Sequence, residues 1–168
     1  MTVAVIVAAA ALAACKQAAG EADDDGGAGS DPAAACQKLI TNSEVASITG
    51  VAHLAYDPTG SAVTLDNVRI CPYQNSAGLE VIATVYSGSG YTDGFKMSFQ
   101  IAKDSPNPAD VPGLGHPAVW ISNSDELFVD LRSKGIQVSL LNKGIGNPDF
   151  ADPKGKSTAI AKVVMGRV

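Results

Sequence analysis

Apolar and polar residues divide this chain into three regimes. Val3–Leu12 is an unbroken apolar run of ten residues, and Lys16–Ala35 carries neither an aromatic nor a branched aliphatic side chain. From Cys36 onward, short periodic patterns alternate with turn residues, as in a folded domain. The first of these predicts a short helix. Thr41-Asn42-Ser43-Glu44 supplies capping residues, Val45 and Ile48 mark one face, and Gly50 ends it. Beyond the turn-rich Asp57-Pro58-Thr59-Gly60 the period shortens to two. Val63 and Leu65 open that pattern, Val81, Ala83 and Val85 share a strand face, and Met97, Phe99 and Ile101 are expected to share another.

Three further strands read as a meander. Ala118–Ile121, the alternation Leu127, Val129, Leu131 and the alternation Ile136, Val138, Leu140 are joined by Ser122-Asn123-Ser124-Asp125 and by Ser133-Lys134-Gly135. From about Gly155 the pattern is helical. Ile160, Val164 and Val168 recur every fourth residue beside Ala159 and Val163, a stripe suited to covering a sheet. The expected fold class is α+β: an antiparallel sheet of about five to six strands, with a short N-terminal helix and a C-terminal helix packed on one face.

The opening apolar run has about half the length needed to cross a hydrocarbon core of roughly 30 Å, which suits a signal-peptide h-region. It closes on Leu12-Ala13-Ala14-Cys15, small residues ahead of a cysteine, the pattern of a bacterial lipoprotein signal. Cys15 is then the lipidated first residue of the mature protein. The expected organisation is 1–14 signal peptide, 15–35 lipidated cysteine and flexible acidic tether, and 36–168 a single extracytoplasmic domain. No Lys or Arg precedes the run, so an initiator upstream of Met1 is expected. An ordinary secretory signal with a coincidental cysteine is the alternative. The expected address is the extracytoplasmic face of the cell membrane, reached through acyl chains, since no later apolar stretch is long enough to span.

Charge sharpens this division. The tether sets Glu21, Asp23, Asp24, Asp25 and Asp31 against Lys16, a net of −4 out of −5 for the whole chain. The 133 residues from Cys36 carry eleven basic and twelve acidic side chains, so the domain has no basic excess and nucleic-acid binding is not expected. An acidic leash is repelled by anionic lipid and holds the domain off the surface. A calcium site at Asp23–Asp25 lacks the Gly-turn loop and distal Glu that such sites use.

With Cys15 assigned to lipid, Cys36 and Cys71 remain, and outside the cytoplasm a disulfide between them is the default. A redox or metal pair would call for CxxC spacing or a neighbouring His. His53 and His116 are the only histidines, too few for most multi-histidine metal sites. Neither a metal nor a cofactor is expected. Gly113-Leu114-Gly115-His116-Pro117-Ala118 matches G-x-G-x-x-A in form only. Prolines precede it and a strand follows it, where a dinucleotide loop needs a strand before and a helix after. His116 lies in a Gly-Pro loop but has no nucleophile context such as G-x-S-x-G. Asp130 and Arg132 read as a solvated strand face. Trp120 reads as a core anchor, with an exposed aromatic contact as the alternative. If loops grip a ligand, the expected ones are Gly88–Phe95, read as a flexible connection, and Val111–Pro117, with Tyr91, Phe95, Gly113, Gly115, His116 and Trp120 as contacts.

Cys36-Gln37-Lys38-Leu39-Ile40-Thr41, leading into Ser43-Glu44-Val45 and Gly50, together with Cys71-Pro72-Tyr73, resembles an actinobacterial lipoprotein family of unknown function. Val111–Trp120 is similar to that family's Gly-Leu-Gly-Asp-x-Ala-aromatic loop, with His116 in place of the acid and Pro117 intruding. The resemblance implies a small extracytoplasmic α+β domain with a Cys36–Cys71 disulfide, similar in outline to sensor-type domains. It attaches no activity. The functional expectation is a monomeric, non-enzymatic envelope lipoprotein that binds a ligand or an envelope protein. An envelope hydrolase using His116, and a structural or immunity-type surface protein, are the alternatives.

Overall fold

The structure, a computed structural model, describes residues 31–59, 67–144 and 150–168. The expected signal segment, Cys15, most of the expected tether, and the expected strand start at Val63 and Leu65 lie outside the described residues.

The first element begins earlier than the sequence suggested. Helix α1, Pro32–Leu39, takes in the last residues assigned to the tether. Asp31 caps it by accepting from the Ala33 amide at 2.9 Å, and Pro32 sits in the first turn, where a missing N–H costs nothing. Cys36 and Leu39 are its buried residues. Helix α2, Asn42–Thr49, follows directly. Its Thr41–Glu44 capping box forms as read, and Gly50 ends it at φ +70°, a left-handed conformation that costs glycine little.

Among the described residues, seven strands form one antiparallel sheet: β1 Ala55–Tyr56, β2 Val68–Gln74, β3 Leu79–Tyr86, β4 Pro108–Asp110, β5 Ala118–Ile121, β6 Glu126–Asp130 and β7 Gly135–Asn142. Their spatial order is β1-β2-β3-β7-β6-β5-β4. The α+β class and the β5–β6–β7 meander hold, and the count exceeds expectation because two very short strands close the edges. Pro108 is tolerated in β4 because an edge strand has a side with no ladder to complete.

Cys36 and Cys71 form a disulfide with Cα atoms 5.4 Å apart, pinning α1 to β2. Beside it the buried Tyr73 hydroxyl donates to the Ile40 carbonyl at 2.6 Å, and burial pushes that phenol's pKa up. Helix α4, Pro153–Met165, packs on β6 and β7, and α2 packs on α4. This face holds the larger core, in which Val81, Ala83, Val85, Leu127, Val129, Val138 and Leu140 meet Ile160, Ala161 and Val164.

The opposite face corrects the sequence reading. Met97, Phe99 and Ile101 lie on no strand. Gly90–Phe95 is a π-helical turn that runs into helix α3, Lys96–Asp104, packed on β5 and β6. The sheet is therefore covered on both faces, not one. Period-two spacing at 97, 99 and 101 coincides with a helical stripe at Phe95, Phe99 and Ala102, and Lys96, Met97, Gln100, Ala102 and Lys103 are good helix formers. A second core of Tyr91, Phe95, Ala102, Val119, Ile121 and Phe128 results.

Candidate functional site

The expected binding residues do not converge. Tyr91 and Phe95, read as loop contacts, are buried in the second core. Phe95 is its hub, with ring centroids 5.4 Å from Tyr86, 5.9 Å from Tyr91, 5.7 Å from Phe99 and 6.4 Å from Phe128. Trp120 is buried too, but in the core on the other side of the sheet. It is the core anchor of the plainer reading, and no surface contact is open to it.

The Val111–Pro117 loop is the connection of the β4–β5 hairpin. Val111 and Leu114 are buried and hold it down, and the Val111 amide donates to the Ala118 carbonyl at 3.2 Å. Gly113 and Gly115 take φ +85° and +71° with open space around them, so they serve the turn rather than a close approach of ligand to backbone. His116 is exposed, and among the described residues nothing hydrogen-bonds its ring.

Asp130, read as part of a solvated face, instead ties these two regions together. It accepts from the Tyr91 hydroxyl at 2.8 Å and from the Arg132 amide at 2.8 Å, while its own amide donates to the Pro117 carbonyl at 2.9 Å. Burial, reinforced by that hydrogen bond to Asp130, pushes the Tyr91 phenol up to about 12. These contacts fasten the π-helical turn to the end of β6. They are structural.

A different site emerges beside α3. An open groove of about 270 Å³ runs along this helix. Ser98, Ile101, Ala102 and Ser105 line its helical side at spacings of three and four, which places them on one flank. Ile121, Glu126 and Phe128 form its sheet side. Ile101 stays 62% exposed although it lines the groove, and Met97, one turn earlier, is also 62% exposed. These two are the exposed large hydrophobics among the described residues. Two such side chains on one helical face beside an apolar groove form a patch of the kind that marks an interaction surface.

Glu126 is the groove's charged group. Ser124 Oγ donates to its Oε2 at 2.7 Å, and Gln137 Nε2 and Ser139 Oγ donate to its Oε1 at 2.8 and 3.2 Å. Gln137 is itself held by the Tyr86 hydroxyl at 2.8 Å, a phenol whose pKa burial raises, with the Glu126 charge adding to the shift. Among the described residues no cluster of three or more His, Cys, Asp or Glu could hold a metal ion, and no helix is long and apolar enough to cross a membrane. The sequence signal missed here was the Met97/Ile101 pair, hidden once the segment was read as a strand. No family model, no curated protein and no solved structure matches the chain.

Proposed function

We propose that this chain is a lipid-anchored binding module of the cell envelope, held by an acyl-modified Cys15 and recognising its partner through the groove beside α3. The lipoprotein-type ending Leu12-Ala13-Ala14-Cys15 supports the anchor. The observation that carries the binding role is the pair Met97 and Ile101, 62% exposed at the rim of an apolar groove. Leaving such area in water has a cost, roughly 25 cal/mol for each Å² that a partner could cover, and nothing in folding requires it. The sheet also separates the two ends of the device. The tether joins the domain at α1, which packs on β2 with the α2–α4 face, while the groove lies on the α3 face. A partner can therefore approach the groove without meeting the attachment point.

The test is photo-crosslinking in intact cells from a reactive residue placed at position 101, with position 162 on the exposed side of α4 as the control. Discrete protein adducts from position 101 that are absent from position 162 support this reading. Equal labelling from both positions, or adducts from position 162 alone, contradict it.

A further inference from the structure

The groove's polar atoms are all of one kind. Ser98 Oγ donates to the Gly94 carbonyl at 3.2 Å and Ser105 Oγ to the Ala102 carbonyl at 2.6 Å, so each hydroxyl has spent its proton and offers lone pairs. Glu126 accepts only. Its three donors, Ser124, Gln137 and Ser139, are neutral. They fix the direction of the carboxylate without compensating its charge. The two ion pairs among the described residues use other carboxylates, Glu80 with Lys143 and Glu44 with Arg167. The groove thus presents an oriented, uncompensated anion between apolar walls, with extra acceptors along its helical side. Its complement is a cationic donor carried on an apolar stem.

We propose that the groove receives a Lys or Arg side chain of a protein partner, its cation on Glu126 and the apolar residues beside it on Ile101 and Met97. This rests on the reading of the α3 face as the recognition surface and adds the chemistry of what that surface takes. A peptide segment suits the site better than a free amine because the apolar surface continues past the groove. Met97 lies outside the lining and remains uncovered when the groove alone is filled.

The probe is acetyl-Leu-Lys-Leu-amide, titrated against the full chain in phosphatidylcholine nanodiscs while the methyl signals of Met97 and Ile101 are followed by NMR. Saturable shifts of both methyls are expected, with binding about tenfold weaker when the peptide's Lys is replaced by norleucine or Glu. Glu126→Gln should lower affinity for the Lys peptide to that of the norleucine peptide and leave the norleucine peptide unchanged. Ile101→Ser, at an exposed position, should weaken all three peptides. Equal binding of the Lys peptide by the wild type and Glu126→Gln, with Ile101→Ser still weakening it, would overturn the cationic assignment and leave the groove as the recognition surface. Met97 methyl shifts that persist unchanged in Ile101→Ser would remove the groove itself. Shifts with n-hexylamine but with none of the peptides would assign a small amine instead. Broadening of both methyls by spin-labelled phosphatidylcholine, without peptide shifts, would assign the face to the bilayer. Either of these last results overturns the proposal, as does the absence of any shift.

Discussion

Phe95 occupies the space that a side chain on Gly135 would need. A Cβ there would lie 2.1 Å from the Phe95 ring, a clash that no rotamer of a fully buried phenylalanine can relieve without moving Tyr86, Tyr91, Phe99 or Phe128. Gly135→Ala is therefore expected to cost about 1–3 kcal/mol by overpacking, measured by urea denaturation. A second residue-scale device joins distant parts of the chain. Arg167, two residues past α4, forks onto Glu44 at 2.6 and 2.9 Å and reaches the Leu39 carbonyl at 3.1 Å. Its guanidinium, helped by the Thr41 amide, holds the Glu44 carboxyl at about 2. Because the folded value is depressed, this stabilisation is complete above the ordinary value of 4.5 and is lost as pH falls from there toward 2. The pair is partly open to solvent, so Glu44→Gln should cost only about 0.5–1 kcal/mol at pH 7 and clearly less at pH 2, where half of the carboxyl is protonated, read from unfolding midpoints at the two pH values. The sequence displayed the Thr41–Glu44 box plainly, since capping is local. It gave no sign of Arg167, whose partner lies 123 residues away.

At the scale of elements, the parts that were legible are those whose pattern has one interpretation. The Thr41–Gly50 helix, the meander and the C-terminal helix all have caps or turns that agree with their periodicity. Helix α3 was not legible because residues 97, 99 and 101 fit a strand while Phe95, Phe99 and Ala102 fit a helix, and only packing on β5 and β6 decides between them. One clue was present. Ala118–Ile121 is apolar at every position, and a strand buried on both sides needs a cover on both sides. Where α3 is concerned, the pair Met97→Ser and Ile101→Ser should change stability by no more than about 0.5 kcal/mol each while removing the apolar rim, a separation that thermal melts and the affinity for acetyl-Leu-Lys-Leu-amide would read together. The disulfide acts at this scale as well. Joining Cys36 to Cys71 restrains a loop of 35 residues, and replacing both by Ser should lower stability by about 4 kcal/mol in the chain-entropy picture. Unchanged denaturation midpoints under reducing conditions would contradict it.

The whole molecule is a sheet clad on both faces, with a different task proposed for each. One side carries α1, α2 and α4, the larger core and the point where the proposed leash would join; the other carries α3 and the groove. Of this, the sequence made the first side readable and left the second hidden, since loops rich in Gly and aromatics looked like a grip and proved to be a hairpin turn and a buried hub. Tyr91, Phe95 and Trp120 are aromatic for packing, and the exposed apolar surface sits on a helix nearby. The proposed role needs the domain to be leashed outside the cytosol, and that condition is the most directly measurable one. Intact-mass spectrometry of the protein isolated from its own cells should find a chain beginning at Cys15 and heavier by two or three acyl groups. A chain that retains Met1–Ala14, or one trimmed to Cys15 with no added fatty acid, would contradict the account.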